Sequence, residues 1–164
     1  MLRLAIMIDN INEWIGRVFS WIIVVLTLLV VLEVILRRFF GAPTIWNFEI
    51  TKQLYGLHFM ILAGFALLHN SHVAIDIIEI RLSKRTRAGL SLISYILFLF
   101  PFCLVLMWKG YGFAAQSWAI AETSWSIFAP PLYPIKTVIP LTALLLFLQG
   151  LSVCIKNILI LSKK

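Results

Sequence analysis

Val18-Phe19-Ser20-Trp21-Ile22-Ile23-Val24-Val25-Leu26-Thr27-Leu28-Leu29-Val30-Val31-Leu32 contains no charge, and its reading decides the fold. A helix crossing a hydrocarbon core of roughly 30 Å needs about 20 mostly apolar residues. Adding residues 14–17 and 33–36 brings the stretch to that length, with charges only near its ends. Three further uncharged runs follow, at 53–75, 88–108 and 137–155. Lipid supplies no hydrogen bonds to a backbone, so each run must satisfy its own as a helix. The expected fold is an all-α integral membrane protein. One domain, 1–164, has four spans at about 14–37, 48–71, 88–115 and 135–157.

The rest of the chain agrees. A 62% apolar and 13% charged composition lies outside the balance of a water-soluble domain. The net charge of +7 is carried at helix ends and in short loops, which is how membrane proteins set orientation. Nucleic acid is therefore not an expected partner. No small-residue cleavage site follows the first apolar run, so the first span reads as its own membrane signal. Cys103 and Cys154 sit inside apolar runs without CxxC spacing and read as small buried hydrophobes, not as a redox pair.

Basic residues discriminate the two topologies. With both termini cytoplasmic, nine Lys and Arg fall inside and five (Arg37, Arg38, Lys52, Lys109, Lys136) fall outside. The middle loop reads as a short amphipathic interfacial helix at about 74–86: Ile75, Ile78 and Leu82 share one face, while Asp76, Glu79 and Arg87 lie largely off it. Its basic end faces membrane lipid head groups. Residues 2–11 fit a similar role. The outer connection, 110–136, carries an aromatic turn with Trp118, Trp125, Phe128 and Tyr133, closed by Pro130, Pro131 and Pro134. Belt anchoring and contact with a partner both fit those aromatics.

Charges inside a span cost a few kcal/mol unless they are paired or face a partner. Glu33 precedes Arg37 by four residues and Glu49 precedes Lys52 by three, so each pair shares a helix face. With Arg38 and Trp46 they form a candidate docking cluster where spans one and two meet. His58, His69 and His72 all lie on span two, so this chain cannot hold a haem between two of its own helices. No carboxylate pair, nucleophile–base set or phosphate loop is present, and neither catalysis nor a cofactor is expected.

Three motifs in order then carry a resemblance. They are Glu33-Val-Ile-Leu-Arg37-Arg38-Phe39-Phe40-Gly41 continuing to Trp46 and Glu49, then His72-Val73-Ala74-Ile75-Asp76, then Trp125 through Pro130-Pro131-Leu132-Tyr133-Pro134 with Pro140 beyond. This resembles the small membrane subunit of tripartite ATP-independent periplasmic (TRAP) transporters, the DctQ family, over essentially the whole chain. Arg38 stands where the family often has Tyr. The resemblance implies a bacterial inner-membrane uptake system for organic acids. A DctP-like periplasmic protein would deliver substrate, and a DctM-like large subunit would use the sodium gradient. The small subunit would widen its scaffold and help dock the binding protein.

Two other readings compete. A four-helix multidrug-type transporter would need a lone carboxylate near mid-membrane, whereas Glu33 lies near a span end with Arg37 one turn on. The membrane anchor of a redox complex would need histidines on more than one span.

Overall fold

The computed structural model describes residues 2–69 and 83–162. Its elements are α1 (Leu2–Ser20), α2 (Ile22–Phe39), α3 (Asn47–Ile61), α4 (Ala63–Leu68), α5 (Lys84–Ser94), a π-helical turn (Tyr95–Leu99), α6 (Phe100–Ala119) and α7 (Tyr133–Ser162). They join into four helical rods, each long and apolar enough to cross a bilayer: Leu2–Phe39, Asn47–Leu68, Lys84–Ala119 and Tyr133–Ser162. The expected interfacial helix at about 74–86 lies mostly outside the described residues, as do His72 and Asp76. Residues 84–86 form the first turn of α5, capped by Ser83, whose hydroxyl accepts from the Thr86 amide at 3.2 Å.

The first rod is longer than the run that announced it. Its 38 residues span about 57 Å at 1.5 Å per residue, more than a hydrocarbon core requires. Against α3 and α4 it is antiparallel: Glu13 meets His69, Phe19 meets His58, Leu29 meets Asn47, and Glu33 meets Thr44. Below Glu13 it crosses α7, where Ala5 and Asp9 both meet Ser152. Leu2 and Ser162 therefore lie toward the same end of the bundle.

α7 is the central helix, touching α1, α3, α4, α5 and α6. Its buried residues include Ala143, Gly150, Ser152 and Cys154, small side chains that let helix backbones approach where water exclusion drives nothing. Gly110 of α6 faces Pro140 of α7 so closely that a Cβ there would lie 3.0 Å from Ile139 Cγ2. The π-helical turn precedes Pro101, which has no amide proton and whose ring crowds the carbonyl four residues back. The ladder widens there, and Phe100 donates to Tyr95 five residues back.

Burial runs opposite to that of a water-soluble bundle. α2 packs chiefly on α3, buries only Leu26, and leaves Val24, Leu28, Val31 and Ile35 exposed. α1 turns Asn12 and Gly16 inward and Leu4, Met7, Ile11 and Trp14 outward. Polar inside and apolar outside is the arrangement of a helix immersed in lipid.

Candidate subunit interface and polar stripe

Glu33 organises the connection between the first two rods. Arg37 Nη2 donates to Glu33 Oε1 at 3.1 Å from one turn further on. Thr44 donates its hydroxyl to Oε2 at 2.5 Å, and its amide lies 3.3 Å from Oε1. Gly41, at φ 59°, turns the chain back so that Phe40 and Ala42 both donate to the Leu36 carbonyl. Glu33 is thus shielded while Arg37 and Arg38 face outward. The pairing with Arg37 was legible from the i, i+4 spacing. The Thr44 clamp was not, because it depends on how the loop folds back.

Glu49 lies in the first turn of α3, where a carboxylate is favoured by the helix dipole. It is buried, with Oε2 3.4 Å from Lys52 Nζ in an ion pair that lacks hydrogen-bond geometry. Lys52 is half-exposed and also lies 5.8 Å from the Phe48 ring. Asn47 bridges to α2 by donating to the Leu29 carbonyl at 2.8 Å, and Trp46 sits immediately before the helix. Among the described residues no ion pair joins Glu49 to Glu33 or Arg37. Glu33–Arg37 and Glu49–Lys52 are two separate ion pairs along one end of the bundle.

At the same end, the aromatic turn is a small folded finger. α6 ends at Ile120 with Ala121 left-handed at φ 45°; Ala121 donates to Trp118 O and Glu122 to Ser117 O, the pairing of a Schellman cap. Ser124 donates to Pro130 O and Leu132 to Glu122 O, closing the finger's base. Gln53 Nε2 ties Pro131 O to α3 at 3.1 Å. Trp118 packs against Tyr133 with ring centroids 4.3 Å apart and planes tilted by 50°, and donates its indole N–H to Thr137 at 2.8 Å. Lys136 pairs with Glu122 and lies over the Phe113 ring. That ammonium holds the Glu122 carboxyl below its ordinary range. Trp118 and Tyr133 thus brace the finger, whereas Trp125 projects from it.

Sequence reading missed a buried polar stripe between α1 and α7. Asp9 Oδ1 accepts from Gln149 Nε2 at 3.0 Å and from the Ser152 hydroxyl at 2.7 Å; Lys156 Nζ reaches Oδ2 at 2.5 Å. Gln149 in turn accepts from Asn12 Nδ2 at 2.9 Å. Asn12, Gln149 and Ser152 are fully buried. The signal lay in the i, i+3 spacing of Asp9 and Asn12 and the i, i+3, i+7 spacing of Gln149, Ser152 and Lys156, each of which defines one helix face. Gly64 packs on the same place, where a Cβ would lie 2.4 Å from Asn12 Oδ1.

His58 and His69 each tie the second rod to the first. His58 Nδ1 lies 3.2 Å from the Phe19 carbonyl, and a carbonyl can only accept, so that nitrogen donates. His69 Nε2 lies 2.7 Å from Glu13 Oε2, and Arg17 holds the other Glu13 oxygen at 2.8 Å. Among the described residues no group of three His, Cys, Asp or Glu could hold a metal ion. Cys103 and Cys154 are buried free thiols.

Four apolar rods, lipid-type burial and polar groups spent on joining helices define a multi-pass membrane protein rather than a water-soluble one. The family described as tripartite ATP-independent periplasmic transporters, DctQ component, matches residues 26–159. The chain belongs to that family, the small component of TRAP transporters. No curated protein matches it. The match begins in α2, so Asp9 and Asn12 of the polar stripe precede it while Gln149, Ser152 and Lys156 lie within it.

Proposed function

We propose that this chain is the scaffold subunit of a sodium-coupled importer of organic acids in a bacterial inner membrane. In this reading it packs against a DctM-like large subunit, which holds the sodium and substrate sites, and the chain itself binds no cofactor. A DctP-like binding protein docks on the end that bears Arg37, Arg38 and Lys52. That end faces the periplasm and both termini face the cytoplasm. The observation that carries the reading is where the polar side chains go. Glu33 is taken up by Thr44 and Arg37, Asp9 by α7, and Glu122 by Lys136, so these three carboxylates, among the described residues, are spent on joining parts of this chain and not on a solute. A proton-coupled carrier is disfavoured by the same fact, since Glu33 is clamped.

Co-purification with the large subunit and sodium-dependent uptake in liposomes test it. The chain alone shows no uptake above empty vesicles; uptake by the chain alone would refute the scaffold reading. Glu33→Ala reduces complex yield and transport several-fold, because it frees the Thr44 loop as well as Arg37. Arg38→Ala has a smaller effect. Wild-type assembly in Glu33→Ala would remove this end from the interface. Cysteine labelling at Ser83 from the cytoplasm and at Ala42 from the periplasm tests the orientation.

A further inference from the structure

We propose that the finger at 124–131 inserts Trp125 and Ile127 into the head-group layer of the bilayer leaflet on its own side. Both side chains stand fully out from the chain, with relative accessibilities of 102% and 91%. Four observations favour lipid over a protein occupant.

The first is charge. From Thr123 to Ile135 there are 13 residues without a charge, and the charges that flank them, Glu122 and Lys136, neutralise one another. A protein–protein rim is polar and uses charge to orient its partner. This finger offers none. The second is side-chain type: Trp concentrates at membrane interfaces, where one part of the indole is apolar and the other wet.

The third is height. Gln53 holds Pro131 at the level of Lys52, whose ammonium is half-exposed, and Lys136 follows one turn into α7. Lysines at the ends of spans mark the head-group level. The finger thus springs from that layer. The fourth is the backbone. At the base, Ser124, Ala129 and Leu132 donate within the finger, and Pro130 and Pro131 have no N–H to satisfy. The amides of 125–128 make no backbone bond among the described residues. Such amides tolerate the hydrated head-group layer but not the hydrocarbon core, which sets the depth of insertion.

The test uses the full chain in phosphatidylcholine nanodiscs, with a bimane fluorophore on Trp125→Cys, Ile127→Cys or, as the exposed reference in the other connection, Ala42→Cys. The buried Cys103 and Cys154 label little, and the parent chain measures that background. Nitroxide on the lipid head group should quench the bimane at 125 and 127, and aqueous iodide should quench it several-fold less there than at 42. Equal iodide quenching at all three sites, without lipid quenching, overturns the proposal. So does protection at 125 and 127 that arises only when a partner protein is added, which would assign the finger to that protein. Full exposure of both side chains makes misfolding of the labelled variants no obstacle.

Discussion

Lys156 Nζ lies 2.5 Å from Asp9 Oδ2, which ties the first helix of the chain to the last. Gln149 and Ser152 complete the coordination of the same carboxylate, so Asp9 is the hub of the α1–α7 contact.

Removing that hub leaves the buried Gln149 amide nitrogen without its acceptor and takes from Lys156 its ionic partner, while Ser152 keeps the Ala5 carbonyl. Asp9→Ala should destabilise the protein by about 2–3 kcal/mol, and Asp9→Asn by less, because an amide oxygen still accepts from Ser152. Lys156→Ala should cost less than Asp9→Ala, since Lys156 is 40% exposed and the other donors keep their acceptor. Thermal unfolding in detergent micelles reads the order. Equal melting temperatures for Asp9→Ala and wild type would show that the stripe is not coupled to stability.

Glycines at helix crossings should separate sharply from glycines on open faces. A Cβ at Gly16 would fall 2.0 Å from Phe65 Cδ2, and one at Gly64 would meet Asn12 Oδ1. Gly16→Ala and Gly64→Ala should each cost about 1–3 kcal/mol through overpacking. Gly112→Ala meets nothing and should stabilise α6 by up to about 1 kcal/mol. The same unfolding assay decides, and a loss at Gly112 matching that at Gly16 would contradict the packing.

Ala121 holds a left-handed conformation at φ 45°, unfavourable for any residue with a Cβ. Ala121→Gly relieves it in a cap whose hydrogen bonds are already formed, and should add about 0.5–1 kcal/mol. A decrease in melting temperature would mean that the cap is not populated.

The Glu122–Lys136 pair gives the finger a pH dependence. Lys136 lowers the folded-state pKa of Glu122 below the ordinary value near 4.5. A depressed carboxyl stabilises the fold above its unfolded pKa, and that contribution is lost as pH falls through the folded value. The stability gap between wild type and Glu122→Gln should therefore be constant near neutrality and close progressively below about pH 4.5. A gap unchanged at pH 3 would rule the pair out as its source.

The sequence made the rods legible because lipid imposes one backbone solution, and uncharged length alone reveals it. Local ion pairs were legible for a related reason: Glu33–Arg37 and Glu49–Lys52 follow from helical spacing. What escaped the reading was long-range. Asp9 stood in a segment, 2–11, read as fitting an interfacial role, and its partners lie 140 or more residues away. Thr44, Gln53 and Lys136 gave no local signal for the same reason. The π-helical turn in the third rod was not read because Pro101 sits inside an uncharged run that reads as one regular helix. The family resemblance supplied what periodicity could not, namely an assembly.

The contact between α1 and α7 joins residues made far apart in time. A ribosome releases Asp9 and Asn12 first and Gln149, Ser152 and Lys156 near the end, so the stripe on α1 has no partner for most of synthesis. Until the last span enters the membrane, a nascent chain carries an unmatched carboxylate at the edge of lipid. A chain interrupted before α7 would leave Asp9 and Asn12 without the partners that Gln149, Ser152 and Lys156 provide.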